Sequence, residues 1–184
     1  MRTGDLRHRV IFQRSTHTQN AVGELVDGWA AIDSVRASVL HLPGRELYRD
    51  GILEKRPIEI LCRMGSELGN LSPNDRVLVP AGYTSTTSAV TATGTSLKVT
   101  SASEFPPAAT PTGTAITYRV RVADEVLTVT AGHGTTTFTV TRGADGSTAT
   151  SHVLGSAVVY MEPLDIESVA PQGRMLEVMA VLNA

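Results

Sequence analysis

Asp165 and Glu167 stand two apart in the run LDIESV. On a strand, that spacing turns both carboxylates to one side, which superficially suits an acid/base pair. The same spacing is also the pattern of a solvated strand face, the commoner use of such carboxylates. The five histidines, His8, His17, His41, His133 and His152, are scattered, with no HxH or HExxH spacing for a metal. Ser34, Ser38 and Ser168 lack the G-x-S-x-G context of an activated nucleophile. The GADG run at Gly143–Gly146 is too short to cradle a phosphate and reads as a hairpin turn. Cys62 is the sole cysteine, so there is no intrachain disulfide and no cysteine zinc cluster; within PIEILCR it reads as a small core residue. These residues describe a protein that is not an enzyme and carries no cofactor and no metal.

Charge is concentrated instead in two places. Leu42–Arg56, LPGRELYRDGILEKR, holds Arg45, Glu46, Arg49, Asp50, Glu54, Lys55 and Arg56 behind a Pro–Gly turn. Glu46–Leu53 reads as a short helix weakened by Gly51, by about 1 kcal/mol relative to Ala. A charged connection of this length is either a disordered crossover or a loop with a job. The N-terminal stretch carries Arg2, Arg7, Arg9 and Arg14 beside His8, and is either a solvated strand edge and tail or an interface. The overall net charge of −2 excludes a globally basic nucleic-acid binder. Aromatic residues at 4% make stacking on single-stranded bases a poor fit. The charged N-terminus has no apolar h-region and no transmembrane span follows, which reads as synthesis in a reducing cytoplasm with no membrane partner.

The elements that must hold these charges are strands. Leu164–Leu182, LDIESVAPQGRMLEVMAVL, is two apolar runs broken at Pro171–Gln172–Gly173, the signature of an antiparallel hairpin. A hairpin alone is marginal in water, so this one needs partners, and they lie before residue 83. Arg9–Gln13, Trp29–Ile32, Val35–Leu40, Pro57–Arg63 and Asp75–Val79 read as those strands, with Ser15–Asp27 a long polar loop and Pro80–Ala81–Gly82 a turn. From Tyr83 to about Val159 the chain becomes rich in Thr and poor in charge. Strands there are expected over Ser96–Ser101, Ala115–Val122, Glu125–Thr130, Thr136–Arg142 and Ala157–Met161, with Glu104–Gly113 a Pro-rich loop. The fold class is all-β. Residues 1–82 with 161–184 read as a small antiparallel β-barrel with a long charged loop, interrupted at 83–160 by an inserted all-β, sandwich-like domain.

The two ends carry a specific resemblance. GDLRHRVIFQR, GWAAIDSVRASVLHLPGRELYRD and DIESVAPQGRMLEVMAV, in that order, resemble the head-tail joining proteins of tailed bacteriophages, the stopper or head-completion proteins of the neck. The insert departs from the shorter members; it resembles Thr-rich β modules of phage structural proteins through ADEVLTVT, TFTVTRGADGST and HVLGSAV. The resemblance implies a homo-oligomeric ring, hexameric or dodecameric, in the virion neck, assembled in the host cytoplasm. Its partners would be the portal-adaptor proteins and the tail terminator, with packaged double-stranded DNA running through the ring. It also implies that the loop His41–Arg56 points into the channel and helps retain DNA, with opposite charges of neighbouring loops pairing. The N-terminal arginines would then form a docking surface toward the adaptor or the next subunit.

Two other readings stand beside it. One is a tail terminator, a neighbouring ring with a different α+β pattern that the scarcity of helices disfavours. The other is a virion decoration or adhesin protein whose inserted domain binds a surface ligand. A sugar platform needs exposed aromatics, and the insert offers Tyr83, Phe105, Tyr118, Phe138 and Tyr160, of which Tyr118 and Phe138 fall in strand-core phase.

Overall fold

The computed structural model describes residues 6–19, 22–42, 45–48, 52–55, 57–107 and 116–182, with 26, 27, 45–48 and 52–55 described by backbone alone. In chain order the strands are β1 (His8–Gln19), β2 (Leu25–His41), β3 (Arg45–Tyr48), β4 (Ile52–Lys55), β5 (Pro57–Arg63) and β6 (Arg76–Ser85). There follow β7 (Ser96–Lys98), β8 (Tyr118–Val122), β9 (Glu125–Ala131), β10 (Thr137–Ala144), β11 (Ala157–Gln172) and β12 (Met175–Leu182). Apart from a single 3-10 turn at Glu67–Asn70, the described elements are strands, so the chain is all-β. It divides into two units, Met1–Val79 with Pro163–Ala184, and Pro80–Glu162.

In the first unit the strands follow the order β12-β5-β2-β1-β6-β11, and a further β11–β12 pairing returns the circuit to its start. The C-terminal hairpin is present as expected, with Leu164↔Leu182 at one end and Gln172↔Met175 at the turn. Its partner is β5, which pairs with β12 from Arg63↔Met175 to Pro57↔Val181. Period-two alternation fixes what faces inward. Val10 and Phe12, Ile58, Ile60 and Cys62, Val77 and Val79, Leu164 and Ile166, and Leu176, Val178 and Ala180 form one buried cluster. Between them, β5 residues are half-buried, as a strand with one face on a core requires. In β11 an irregularity between Ile166 and Ser168 puts Glu167 out of register, so the regular alternation that would align it with Asp165 is broken there.

Several expected boundaries are corrected. The polar run Ser15–Asp27 is mostly strand: β1 and β2 pair as far out as Gln19↔Leu25. Polar side chains suit a ribbon with water on both faces, and the absence of apolar alternation there hid it. Trp29–Ile32 and Val35–Leu40 are parts of the single strand β2. Pro80–Ala81–Gly82 is not a turn, since β6 runs through it to Ser85. The expected helix over Glu46–Leu53 is instead the β3–β4 hairpin. Glycine disfavours a helix interior, by about 1 kcal/mol relative to Ala, and Gly51 falls inside the expected helix.

The second unit places β11-β8-β9-β10-β7 in order, joined by antiparallel pairings. Thr-rich alternation in this unit buries Leu97, Val120, Val122, Leu127, Val129, Phe138, Val140 and Val158 and leaves Thr between them. β-branched threonine fits the exposed positions of a pleated sheet, which is why the composition shift reads as strand.

Candidate functional site

The charged stretch singled out by the sequence is a short hairpin. β3 and β4 pair Arg45↔Lys55, Glu46↔Glu54, Leu47↔Leu53 and Tyr48↔Ile52. Like charges therefore occupy directly opposed positions, an arrangement that destabilises an isolated hairpin. Strand alternation puts positions 45, 47, 53 and 55 on one face and 46, 48, 52 and 54 on the other. One face thus carries the two basic positions and the other the two acidic ones. Arg49, Asp50 and Arg56 lie outside the described residues.

The N-terminal arginines are held differently from one another. β1 is paired on both sides over Ile11–Gln13, with β2 and with β6, so that part of it is no strand edge. Arg14 reaches across to Asp75, donating from Nε to Oδ1 at 2.9 Å and from Nη2 to Oδ2 at 3.0 Å, and from Nη2 to the Asn70 carbonyl at 2.8 Å. Asp75 is buried, and also accepts the Ser72 backbone N–H at 2.9 Å. Burial pushes its carboxyl pKa up, but the hydrogen bonds from Arg14 and Ser72, with the Arg14 charge, outweigh that and hold it below the usual range. Next along the same strands, Arg76 donates from Nε to Gln13 Oε1 at 2.7 Å, and its guanidinium lies 4.1 Å from the centre of the Trp29 ring. Arg9 donates from Nε to Ser34 Oγ at 2.9 Å, and Arg7 is exposed. Arg2 lies outside the described residues. The structure therefore gathers Arg9 and Arg14 onto β1 as members of cross-strand polar contacts, with Arg76 joining them; Arg76 was not singled out by the sequence.

A second polar centre in the other unit was also missed. Glu125 is buried, and its carboxylate accepts from Arg142 Nε at 2.7 Å, Arg142 Nη2 at 2.7 Å, the Gly143 and Thr150 backbone N–H groups at 3.2 and 3.0 Å, and His152 Nε2 at 2.7 Å. A carboxylate accepts and cannot donate, so Nε2 of His152 carries the proton in that contact. Burial raises the Glu125 pKa and these donors overcome it, leaving it lowered to about 2. Arg142 in turn binds the carbonyls of Thr91, Gly94 and Thr150. With both oxygens occupied by structural donors, this carboxylate ties loops together and is not free to move a proton. Glu125 and Arg142 are two of eight charged residues between positions 83 and 160, and nothing in their spacing joins them.

Of the five aromatic residues that a sugar-binding platform could use, Phe105, Tyr118, Phe138 and Tyr160 are packed on one another, and Tyr83 is exposed. Phe105 lies 5.5 Å from Phe138 and 6.5 Å from Tyr118 between ring centres, and Tyr118 meets Tyr160 edge-on at 5.5 Å. Phe105, Tyr118 and Phe138 are all buried, as the strand phase of the last two predicted. Among the described residues no group of three His, Cys, Asp or Glu side chains is placed to hold a metal ion.

Comparison with known proteins agrees with the resemblance carried by the N-terminal part of the chain. Residues 1–83 match the family model described as phage head completion protein. That match takes in β1 to β5 and most of β6, and with them the β3–β4 hairpin and the Arg14–Asp75 pair. No curated protein matches the chain.

Proposed function

Since residues 1–83 match the family model described as phage head completion protein, we propose that this chain is a non-enzymatic structural protein of a tailed phage or phage-like particle. It assembles as a closed ring between the portal-adaptor complex and the tail, retains packaged DNA, and presents the surface on which the tail docks. The observation that carries this reading is the register of the β3–β4 hairpin within the matched region. Copies arranged around an axis bring the basic face of one hairpin against the acidic face of the next. Each like-charged pair within a hairpin then gains opposite charges from its neighbours. The result is a plug of near-neutral charge. A purely basic lining would grip the DNA backbone and resist its exit when the head must empty. The second unit, four of whose five aromatics are packed on one another, is a structural domain carried by the neck.

Particles carrying Glu46→Gln with Glu54→Gln, or Arg45→Gln with Lys55→Gln, test this. The expected result is the same complement of assembled necks with DNA lost from filled heads. Heads that keep their DNA with either double variant sink the plug. Deleting the gene separates the positions: free tails beside emptied heads fit head closure, whereas filled heads with tails of uncontrolled length belong to a terminator.

A further inference from the structure

The β1–β2 hairpin extends well beyond the strands that support it. β6 pairs with β1 over Ile11–Gln13, and β5 pairs with β2 over Ala37–His41. Among the described residues, the pairs from Arg14↔Ala30 to Gln19↔Leu25 have no third strand beside them. This two-stranded arm is about 20 Å long at ~3.3 Å per residue. An irregularity between Phe12 and Gln13 marks its root, where the twist of a ribbon increases. Two strands alone are marginally stable, and this pair ends in apolar residues: Val22 is 84% exposed and Leu25 71%, on either side of Gly23 and exposed Glu24.

Elsewhere on the same unit is a cleft of matching character. It lies between Arg63 and Met64 at the end of β5 and Gly173, Arg174 and Met175 at the turn into β12, with a volume of about 590 Å³. The Met64 N–H donates to the Arg174 carbonyl at 3.0 Å, which fixes the two walls together. Thioethers adapt to the shape of an apolar guest, and the two arginines among the lining residues favour one that carries a carboxylate.

We propose that the arm tip, Val22–Leu25, of one copy of this chain seats in the Arg63–Arg174 cleft of the next. Two observations commit the occupant. The tip supplies the chemistry that the cleft lacks, two exposed aliphatic side chains and one carboxylate. The arm also points past its own cleft. Gly65, just beyond Met64, lies beside Asp33, where a Cβ on it would stand 3.4 Å from Asp33 Oδ2. Leu25 is further out along the same strand, from position 33 to position 25, or roughly 25 Å. A tip that overshoots its own cleft reaches another subunit's. A contact between two different surfaces is heterologous, and repeated around an axis it closes a ring. The inference rests on the ring reading above and names the joint that would hold it.

Cysteine cross-linking of the purified full-length protein tests it, with the native Cys62 buried and out of the reaction. Val22→Cys combined with Met64→Cys is expected to give, on oxidation, a ladder of covalent multimers that rises with protein concentration and is absent from either single variant. Adding Glu24→Arg should abolish the ladder, and further adding Arg174→Glu should restore it. No cross-link up to millimolar protein, an intrachain product, or dimers from Val22→Cys alone each overturn the proposal. Thermal unfolding of every variant separates loss of contact from loss of fold. DNA retention by hairpin-neutralised particles judges the head-closure reading independently: a missing ladder with leaking heads removes the arm contact and leaves that reading standing.

Discussion

Arg14 holds Asp75 at two points, Nε to Oδ1 at 2.9 Å and Nη2 to Oδ2 at 3.0 Å, across the β1–β6 junction. The two partners differ in exposure: the Arg14 side chain is 47% exposed and that of Asp75 is 2% exposed. Removing one is therefore not equivalent to removing the other. Asp75→Asn frees a cation already half in water and is expected to cost about 1–3 kcal/mol. Arg14→Ala strands a buried carboxylate with Ser72 as its remaining partner, and should cost more than Asp75→Asn. Denaturant unfolding of both variants checks the order. Equal losses would mean that the exposed cation contributes little beyond its packing.

The same pair has a pH signature. The Asp75 pKa is lowered in the folded chain, so its stabilisation is present above the ordinary carboxylate range and is lost as pH falls through the depressed value. Arg14→Ala should therefore flatten part of the acid limb of the stability curve, measured by urea midpoints between pH 7 and pH 3.

Much of the first unit was legible because strands such as β5 and β12 have one dry face. Ile58, Ile60 and Cys62 announce themselves by alternation, and so do Leu176, Val178 and Ala180 of the C-terminal hairpin, whereas Val10–Gln13 is a continuous buried run. The arm was not legible, because Arg14–Gln19 is exposed or half-buried and carries no apolar period to read. The β3–β4 hairpin was mistaken for a helix, since charged residues at mixed spacings satisfy both periods over so short a run. Its charges were visible in the sequence; their division between two faces was not, because it depends on the pairing register. The Glu125 centre was illegible for a different reason. Its partners lie at positions 142, 143, 150 and 152, and only the folded topology brings them to one carboxylate.

Cys62 gives a third prediction. Burial first, and Asp33 second, push its thiol pKa up to about 11. At pH 8 the thiolate that reacts with disulfide reagents is then scarce as well as shielded. Titration with an aromatic disulfide should show no fast-reacting thiol in the native protein and one after unfolding in guanidinium. A rapid native reaction would mean that the strand β5 opens locally.

Two glycines in the β9–β10 turn separate backbone conformation from steric fit. Gly132 and Gly134 both have left-handed backbones, with φ of +80° and +70°. A Cβ at Gly134 would meet open space, whereas one at Gly132 would overlap the Thr137 carbonyl. Gly134→Ala should therefore cost about 1 kcal/mol, the conformational penalty alone. Gly132→Ala adds displacement of the backbone, and about 2–4 kcal/mol is expected from strain of this kind. Thermal melts of the two variants side by side give the comparison, and equal shifts would show that the turn relaxes freely.

The Glu125 centre provides the sharpest pH test. Its pKa falls from an ordinary 4.5 to about 2 in the folded chain, because the donors from Arg142, Thr150, His152 and Gly143 together outweigh burial. A depressed carboxylate stabilises the fold fully above its unfolded pKa and loses that contribution as pH falls through the folded one. The window is thus from about pH 4.5 down to about pH 2. A shift of this size corresponds to on the order of 3 kcal/mol. Glu125→Gln keeps the shape but replaces an acceptor by an amide whose N–H groups oppose the guanidinium of Arg142. It should lower stability at pH 7 and remove most of the dependence between pH 4.5 and pH 2. Arg142→Met at the same site leaves the carboxylate buried without its main partner, and should raise the pH at which acid unfolding begins. If both variants melt in parallel with the parent across this range, the centre contributes packing and not charge.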